Sequence, residues 1–309
     1  QVIQKPEMAG KLWFNIIAVF LFLPMLCNSF LVQEQPLVLQ YHKGALLKGK
    51  IAINLIWYGR FTPAQRSVIV DFLESLTPAG IGHSEPSVSS WWKTTSKYSA
   101  VGNPKAGAIS STVKVGQQVV DGDYSLGKAL HSGDLITLAS KVPFAAGSVN
   151  VVLTADDVTV DGFCMNRCGT HGSVRGSVYL WVGNPGTQCP GYCAWPFHQP
   201  MYGPQTPPLL APNADVGVEG MVITLASLMA NTVTDPFRGG YFQGPTTAPL
   251  EAASACTGIF GSGSYPGNPG QVLTDEVSGA SFNAYGVRQR KYLLPAVWDP
   301  ETSTCKVMT

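Results

Sequence analysis

From Lys50 to Trp57 the chain reads KIAINLIW, an apolar, β-branched run with a bias to alternation; Thr62-Pro63 follows, and then Val68, Ile69, Phe72, Leu73 and Leu76 recur at helical spacing. The first pattern predicts a strand. The second, behind a threonine cap and a first-turn proline, predicts an amphipathic helix that closes at Thr77-Pro78. Further strands are predicted at TVKVGQQVV, SVNVVLTADDVTV and SVYLWVGN, and a final one at RKYLLPAVW. Helices are predicted through SSWWKTTSKYS and through SLGKALHSGDLITLASKV, the latter broken near Gly133. Strands and helices in both early and late parts of the chain predict an α/β (α+β) fold.

Residues 222–234, VITLASLMANTVT, are apolar nearly all round, with Val222, Ile223, Leu225, Ala226, Leu228, Met229 and Val233, which marks a central buried helix. A zinc-hydrolase helix carries a histidine, a glutamate beside it as base, and a second ligand four residues on, because positions four apart share a face. The register that fits best here offers Ser227, Leu228 and Asn231. None is a good zinc ligand, and leucine takes no proton from water, so the helix has the setting of a catalytic helix without its chemistry.

The N-terminal pattern concerns destination rather than fold. After Met8 and Lys11 an apolar run from Leu12 to Leu26 is interrupted only by Asn15 and Pro24, and Cys27-Asn28-Ser29 closes it. A basic region, an apolar region and a small-x-small site predict a secretory signal peptide over residues 8–29, cleaved near Ser29. Residues 1–7 are read as leader or fragment boundary, and 30–309 as one domain. The interrupted run falls short of the roughly 18 apolar residues of a spanning helix. The mature protein is therefore expected to be secreted, with no membrane span after cleavage.

Residues 1–29 carry Lys5, Lys11 and Glu7, and without them basic and acidic side chains balance at 18 each. A neutral chain with no basic cluster is a poor nucleic-acid binder. The 33 glycines and 23 prolines predict many turns, while a hydrophobic fraction of 45% argues against disorder. Cys164, Cys168, Cys189, Cys193, Cys256 and Cys305 remain after cleavage, and an even count in a secreted chain predicts three disulfides. The competing arrangement is a structural zinc site, since CMNRC and CPGYC form two C-x-x-x-C pairs. Of about 15 pairings, only Cys256 with Cys305, tying back the tail, is singled out.

Familiar catalytic signatures are absent: the chain contains no G-x-S-x-G and no phosphate-binding glycine loop ending in Gly-Lys-Ser/Thr. Asp156 and Asp157 are neighbours whose side chains point apart on a strand, and VDGDYS reads as a turn. His171 in CGTHGS and His198 in PFHQP are candidate metal ligands or general bases, against the plainer role of fixing loop carbonyls. An atypical hydrolase would draw on His171, His198, Asp215, Glu219 or Glu251. Glu219 lies near the start of the buried helix, where a carboxylate also complements the helix dipole. From Cys189 to Pro212 the chain turns Pro-rich and aromatic, and its Trp195, Phe197 and Tyr202, together with Trp91 and Trp92, are candidates to stack on sugar rings. No cofactor is expected.

The strings YHKGALLKGKIAINLIWYGRFTPAQRSVIVDFLESL, CGTHGS, CAWPFHQPMYGPQTPPL, GVEGMVITLASLMANTVTDPF, GYFQGPTTAPLEAASAC and RKYLLPAVWDP resemble the plant EXORDIUM, or phosphate-induced protein, family, from about Tyr41 to Cys305. The resemblance implies a secreted protein of the apoplast and cell wall, associated with brassinosteroid-promoted cell expansion and with growth under carbon limitation. It brings no established catalytic activity, so no catalytic residue is carried over. The expected role is binding a cell-wall component or a cell-surface protein, with a hydrolase as the alternative. Separately, TLASLMANTVTDP is similar to the AHELAEAVTDP segment of some bacterial and fungal zinc peptidases. On that alignment Ser227, Leu228 and Asn231 stand where the histidine and two glutamates would be, while Asp235-Pro236, Glu251 and Cys256 persist. This similarity implies a zincin-like scaffold that has lost its metal.

Overall fold

The computed structural model describes residues 36–78, 84–102 and 109–309, so the predicted leader and signal peptide lie outside the described residues. Its frame is a five-stranded sheet built from β1 (Gly49–Tyr58), β2 (Ile109–Asp121), β3 (Ser148–Thr154), β4 (Gly169–Val174) and β5 (Ser177–Gly183) in the order β2-β1-β3-β5-β4. All neighbours run parallel except β4, which pairs antiparallel with β5 as the edge strand. A parallel sheet covered on both faces needs strands apolar on both sides. That is why KIAINLIW alternates only weakly and why every residue of β3 is buried.

Two buried asparagines sit within this apolar sheet. Asn54 Nδ2 donates to Asn150 Oδ1 at 2.8 Å, while Asn150 Nδ2 donates to the carbonyls of Ala139 and Val142, both at 2.8 Å. Asn54 Oδ1 accepts the Gln117 backbone N–H at 2.9 Å, beside the point where the β1–β2 register slips. Asn54 thus satisfies a strand N–H beside the irregularity, and Asn150 the carbonyls where the preceding helix ends.

Helix α1 (Pro63–Ser75) starts with the capping box that its sequence announces: Thr62 Oγ1 accepts from Gln65 N, and Gln65 Oε1 accepts from Thr62 N. Gln65 Nε2 also donates to Asp215 Oδ2 at 2.9 Å, and Asp215 in turn caps the long helix α4 (Val216–Thr234) by accepting from Val218 N. Residues of α1, of α4 and of the short α2 (Val88–Lys93) join one large core with β1, β3 and β5. The opposite face carries α3 (Ser132–Ala139), whose Leu135 and Leu138 pack with Tyr58, Val152 and Trp181. Helices on both faces of a mostly parallel sheet make a layered arrangement within the α/β (α+β) class that the pattern predicted.

Several boundaries moved. The helix predicted from residue 222 begins at Val216. Gly217 and Gly220 weaken the helical pattern, yet α4 needs Gly220, because a Cβ there would stand 2.7 Å from the Cys193 carbonyl oxygen. Gly133 does not break a helix but lies in the first turn of α3, and CGTHGS, predicted as loop, forms most of β4. The final strand divides into Lys291–Tyr292 and Val297–Asp299. Helix α4 is long and apolar enough to cross a membrane, and its burial against α1, β4 and β5 identifies it as a core helix.

The bridges are Cys164–Cys189, Cys168–Cys193 and Cys256–Cys305. The pairing of the tail is the one singled out from the sequence. Each C-x-x-x-C pair is cross-linked to the other, so these sulfurs are not zinc ligands.

Candidate functional site

Two features of the surface concentrate chemistry-bearing side chains. The first is a groove of about 550 Å³ around Tyr192, Trp195, Tyr202 and Tyr265, with Pro200, Pro204 and Pro266 completing its walls. It is built by the chain between the cysteine-rich turn and α4, facing the glycine-rich loop at 257–267. Cys193 holds one end through its bridge to Cys168. Phe197, 3% exposed, anchors the middle among Ala211, Phe260 and Leu293, and the Leu209 N–H donates to the Pro196 carbonyl. Trp195 leans on Phe260 with ring centroids 5.7 Å apart. Across the groove the Tyr265 and Asn268 backbones bond reciprocally, and Thr206 Oγ1 donates to the Gly267 carbonyl at 2.8 Å, pinning the two loops together. Tyr202 and Tyr265 remain 76% and 62% exposed, which for large aromatic rings on a braced frame signals a contact surface.

The second feature is a corner between β4, α4 and the segment at Glu251. His171 projects from β4, and its Nε2 lies 3.0 Å from each carboxylate oxygen of Glu251. With Nε2–H donated to Glu251, Nδ1 is left, and it is buried without a hydrogen-bond partner. Neither ring nitrogen is therefore open to a substrate, which removes the simplest general-base role. Asp235 stands close enough that Glu251 raises its pKa and His171 lowers it, but burial is the largest cause and the net direction is up. Its Oδ1 accepts the Gly239 and Gly240 N–H groups, both at 2.7 Å. Among the described residues no group of three or more His, Cys, Asp or Glu is placed to hold a metal ion.

The helix positions aligned with metal ligands meet this corner only in part. Leu228 packs against β4, where a Cβ on Gly169 would come within 2.9 Å of its Cδ1. Asn231 Oδ1 accepts the Ala253 N–H at 2.7 Å, so its amide holds the Glu251 segment onto α4. Ser227 turns back on its own helix, donating to the Ile223 carbonyl. The three positions thus serve packing, a loop cap and a bond within the helix.

The remaining candidates separate. Trp91 and Trp92, 1% and 0% exposed, belong to the core, and Trp91 Nε1 donates to the Pro295 carbonyl at 2.7 Å, so both are out of reach of a ligand. Both indoles turn inward with Val88 while Lys93 faces solvent, a direction that adjacency in sequence does not reveal. Phe197 is likewise a core anchor, and His198 lies exposed on the loop with Nδ1 3.0 Å from the Gln199 carbonyl. Asp215 is a helix cap, and Glu219 is fully buried, accepting from Asn213 N and Nδ2. Tyr192 and Tyr265 were not singled out by sequence reasoning. Their signal is an aromatic ring set among Gly, Pro and Ser, in CPGYC and GSGSYPGNPG, with no apolar pattern to bury it.

The chain matches the family described as phosphate-induced protein 1 conserved region over residues 39–308. It is 59% identical over 305 residues to Protein EXORDIUM-like 2 of Arabidopsis thaliana, covering 94% of this chain and 97% of that one. Identity to Protein PHOSPHATE-INDUCED 1 of Nicotiana tabacum is 56% over 288 residues, 90% of this chain and 91% of the relative. Protein EXORDIUM of Arabidopsis thaliana is 52% identical over 314 residues, 96% of this chain and all of the relative, 100%. No solved structure matches the chain. With the family region running through the sheet, both surface features and the bridged tail, the chain belongs to the EXORDIUM, or phosphate-induced protein 1, family.

Proposed function

We propose that this protein is a secreted component of the plant apoplast and cell wall that regulates cell expansion, in the brassinosteroid-linked manner the family resemblance implies, and that it acts by binding rather than catalysis. The observation that carries the reading is the aromatic groove: Tyr192, Trp195, Tyr202 and Tyr265 around about 550 Å³ of largely apolar space. Sugar rings present apolar C–H faces that stack on aromatic planes, and a volume in the range of roughly 300–1,000 Å³ is typical of small-ligand sites. Three disulfides and the loop-to-loop hydrogen bonds fix the rings in advance, which lowers the ordering cost of binding. The ligand is accordingly a wall polysaccharide, with a cell-surface protein as the alternative partner.

The test is retention of the mature protein on insoluble wall polysaccharides. Tyr202→Ala and Tyr265→Ala remove exposed rings with little expected effect on folding, and Trp195→Ala removes the partly packed one. Each stacked ring is expected to contribute about 0.5–1.5 kcal/mol, so retention falls several-fold per variant. Unchanged retention by a triple variant that still melts cooperatively would remove the groove from the function.

A further inference from the structure

At the free edge of the sheet a notch of about 320 Å³ is lined by Arg167, Thr170, His171, Ser173, Tyr179 and Arg238. We propose that this notch binds the carboxylate of an acidic sugar, a uronate unit of an oligosaccharide, with the two guanidinium groups as its principal contacts. This site is separate from the aromatic groove and does not rest on it.

The two arginines are free to take a ligand. Neither forms an ion pair with a described residue, and the hydrogen bond from Arg167 Nε to its neighbour Asn166 Oδ1 is 3.3 Å long. Elsewhere in the molecule Arg288 and Arg290 are both taken up by Asp71. A planar guanidinium fork matches a carboxylate bidentately, and two forks at one notch favour an anionic ligand.

Both arginines stand on braced backbone. Arg167 lies within the Cys164–Cys168 turn, both ends of which are disulfide-bonded, and its carbonyl accepts the Cys164 N–H. Arg238 has φ of +60°, a left-handed conformation that disfavours a side chain, and the buried Asp235 holds it there by accepting the next two backbone N–H groups. Those two bonds fix the backbone that carries Arg238.

The rest of the lining selects a sugar over a bare anion. Tyr179 crosses the notch over Gly172, where a Cβ would come within 2.8 Å of the phenol oxygen. Its hydroxyl is close enough to Arg238 for that charge to offset part of the burial that raises its pKa. The ring offers an apolar face to a pyranose, and Ser173 and Thr170 supply hydroxyls to its alcohol groups. His171, fixed from behind by Glu251, contributes a rigid wall rather than a proton. A free phosphate would engage the guanidinium groups and leave the Tyr179 face uncovered.

The experiment is calorimetric titration of the mature protein with a trimer of galacturonic acid, set against its methyl ester, a neutral glucose trimer and inorganic phosphate. The acidic trimer is expected to bind, the ester and the neutral trimer to bind at least ten-fold more weakly, and the Arg167→Gln/Arg238→Gln double variant to lose at least ten-fold in affinity. Tyr265→Ala in the groove is expected to leave this binding unchanged, which separates failure here from failure of the groove. Should the double variant melt early, Ser173→Glu, an exposed substitution beside the same forks, is expected to give the same loss. No binding of the trimer, equal binding of its ester, or full affinity in the double variant and in Ser173→Glu would each overturn the proposal. Phosphate that matches the trimer's affinity and displaces it would reassign the notch to a phosphate site.

Discussion

Glu219 supplies a test in which the structure sets the size of the effect. It lies in the first turn of α4 with no exposed surface; Oε1 accepts from Asn213 N at 2.9 Å and from Asn213 Nδ2 at 2.7 Å, and Oε2 meets no donor among the described residues. Burial pushes its carboxyl from 4.5 up to about 7, against the opposing pull of the Asn213 bonds. A carboxyl that holds its proton more tightly when folded stabilises the fold relative to its ionised form at low pH. Stability is lost as pH rises from the unfolded value of 4.5 through the folded value of about 7. At about 1.36 kcal/mol per pKa unit, the cost of folding with this group is roughly 1 kcal/mol at pH 5.5 and roughly 3 kcal/mol at pH 8. Glu219→Gln keeps an acceptor for Asn213 and cannot ionise, so its stability relative to the parent improves by about 2 kcal/mol between those two pH values. Asp235, also raised by burial, is common to both proteins and cancels in the difference. Urea unfolding of the two proteins across pH 5–8.5 measures this directly. Curves that run parallel over the whole range would refute the reasoning, since Glu219 would then share one protonation state in both folded and unfolded chains.

Replacing Cys256 and Cys305 together by serine opens a loop of sequence separation 49 and is expected to cost about 4 kcal/mol in urea unfolding; a loss below about 1 kcal/mol would mean that the tail docks without its bridge. Asn231→Ala leaves the buried Ala253 N–H unpaired and is expected to cost about 1–3 kcal/mol, with faster amide exchange over residues 251–257. A neutral outcome would show that the Glu251 segment is held by other contacts. Prolonged treatment with EDTA is expected to leave the melting temperature unchanged, because all four cysteines of the two C-x-x-x-C pairs are in disulfides. A fall of several degrees, reversed by zinc, would establish a metal site outside them.

The local signals proved the most legible. Thr62-Pro63 states the start of α1, and the β-branched runs KIAINLIW and SVNVVLT state β1 and β3. What stayed hidden depends on partners distant in sequence. CGTHGS forms a strand only because β5 pairs with it, and its glycines carry no strand propensity of their own. The indoles of Trp91 and Trp92 read as surface candidates because tryptophan serves both cores and interfaces, and only the packing of α2 decides. Glu251 was a candidate through the similarity to a zinc-peptidase segment; its partner His171 lies 80 residues away, and no spacing rule predicts the contact. Arg167 and Arg238 carried no sequence signal at all, since an unpaired arginine is defined by which carboxylates are absent around it.

The cysteine-rich segment gains a reason from this arrangement. Cys168 closes the turn that presents Arg167 at the notch, and Cys193 closes the turn that presents Tyr192 and Trp195 at the groove. The Cys168–Cys193 bridge joins the two turns directly, and Cys164–Cys189 joins them a second time at the preceding cysteine of each pair. Neither turn has a large core of its own: one precedes an edge strand, and the other is a four-residue helix flanked by irregular chain. Short segments of that kind do not hold an arginine and aromatic rings in one geometry by burial alone, because little apolar area is available to offset the ordering cost. Paired covalent links remove that cost from the folded side and apply it to the unfolded chain. The spacing that would also suit a zinc site thus joins, through one pair of bridges, the turn beneath the proposed groove to the turn beneath the proposed notch.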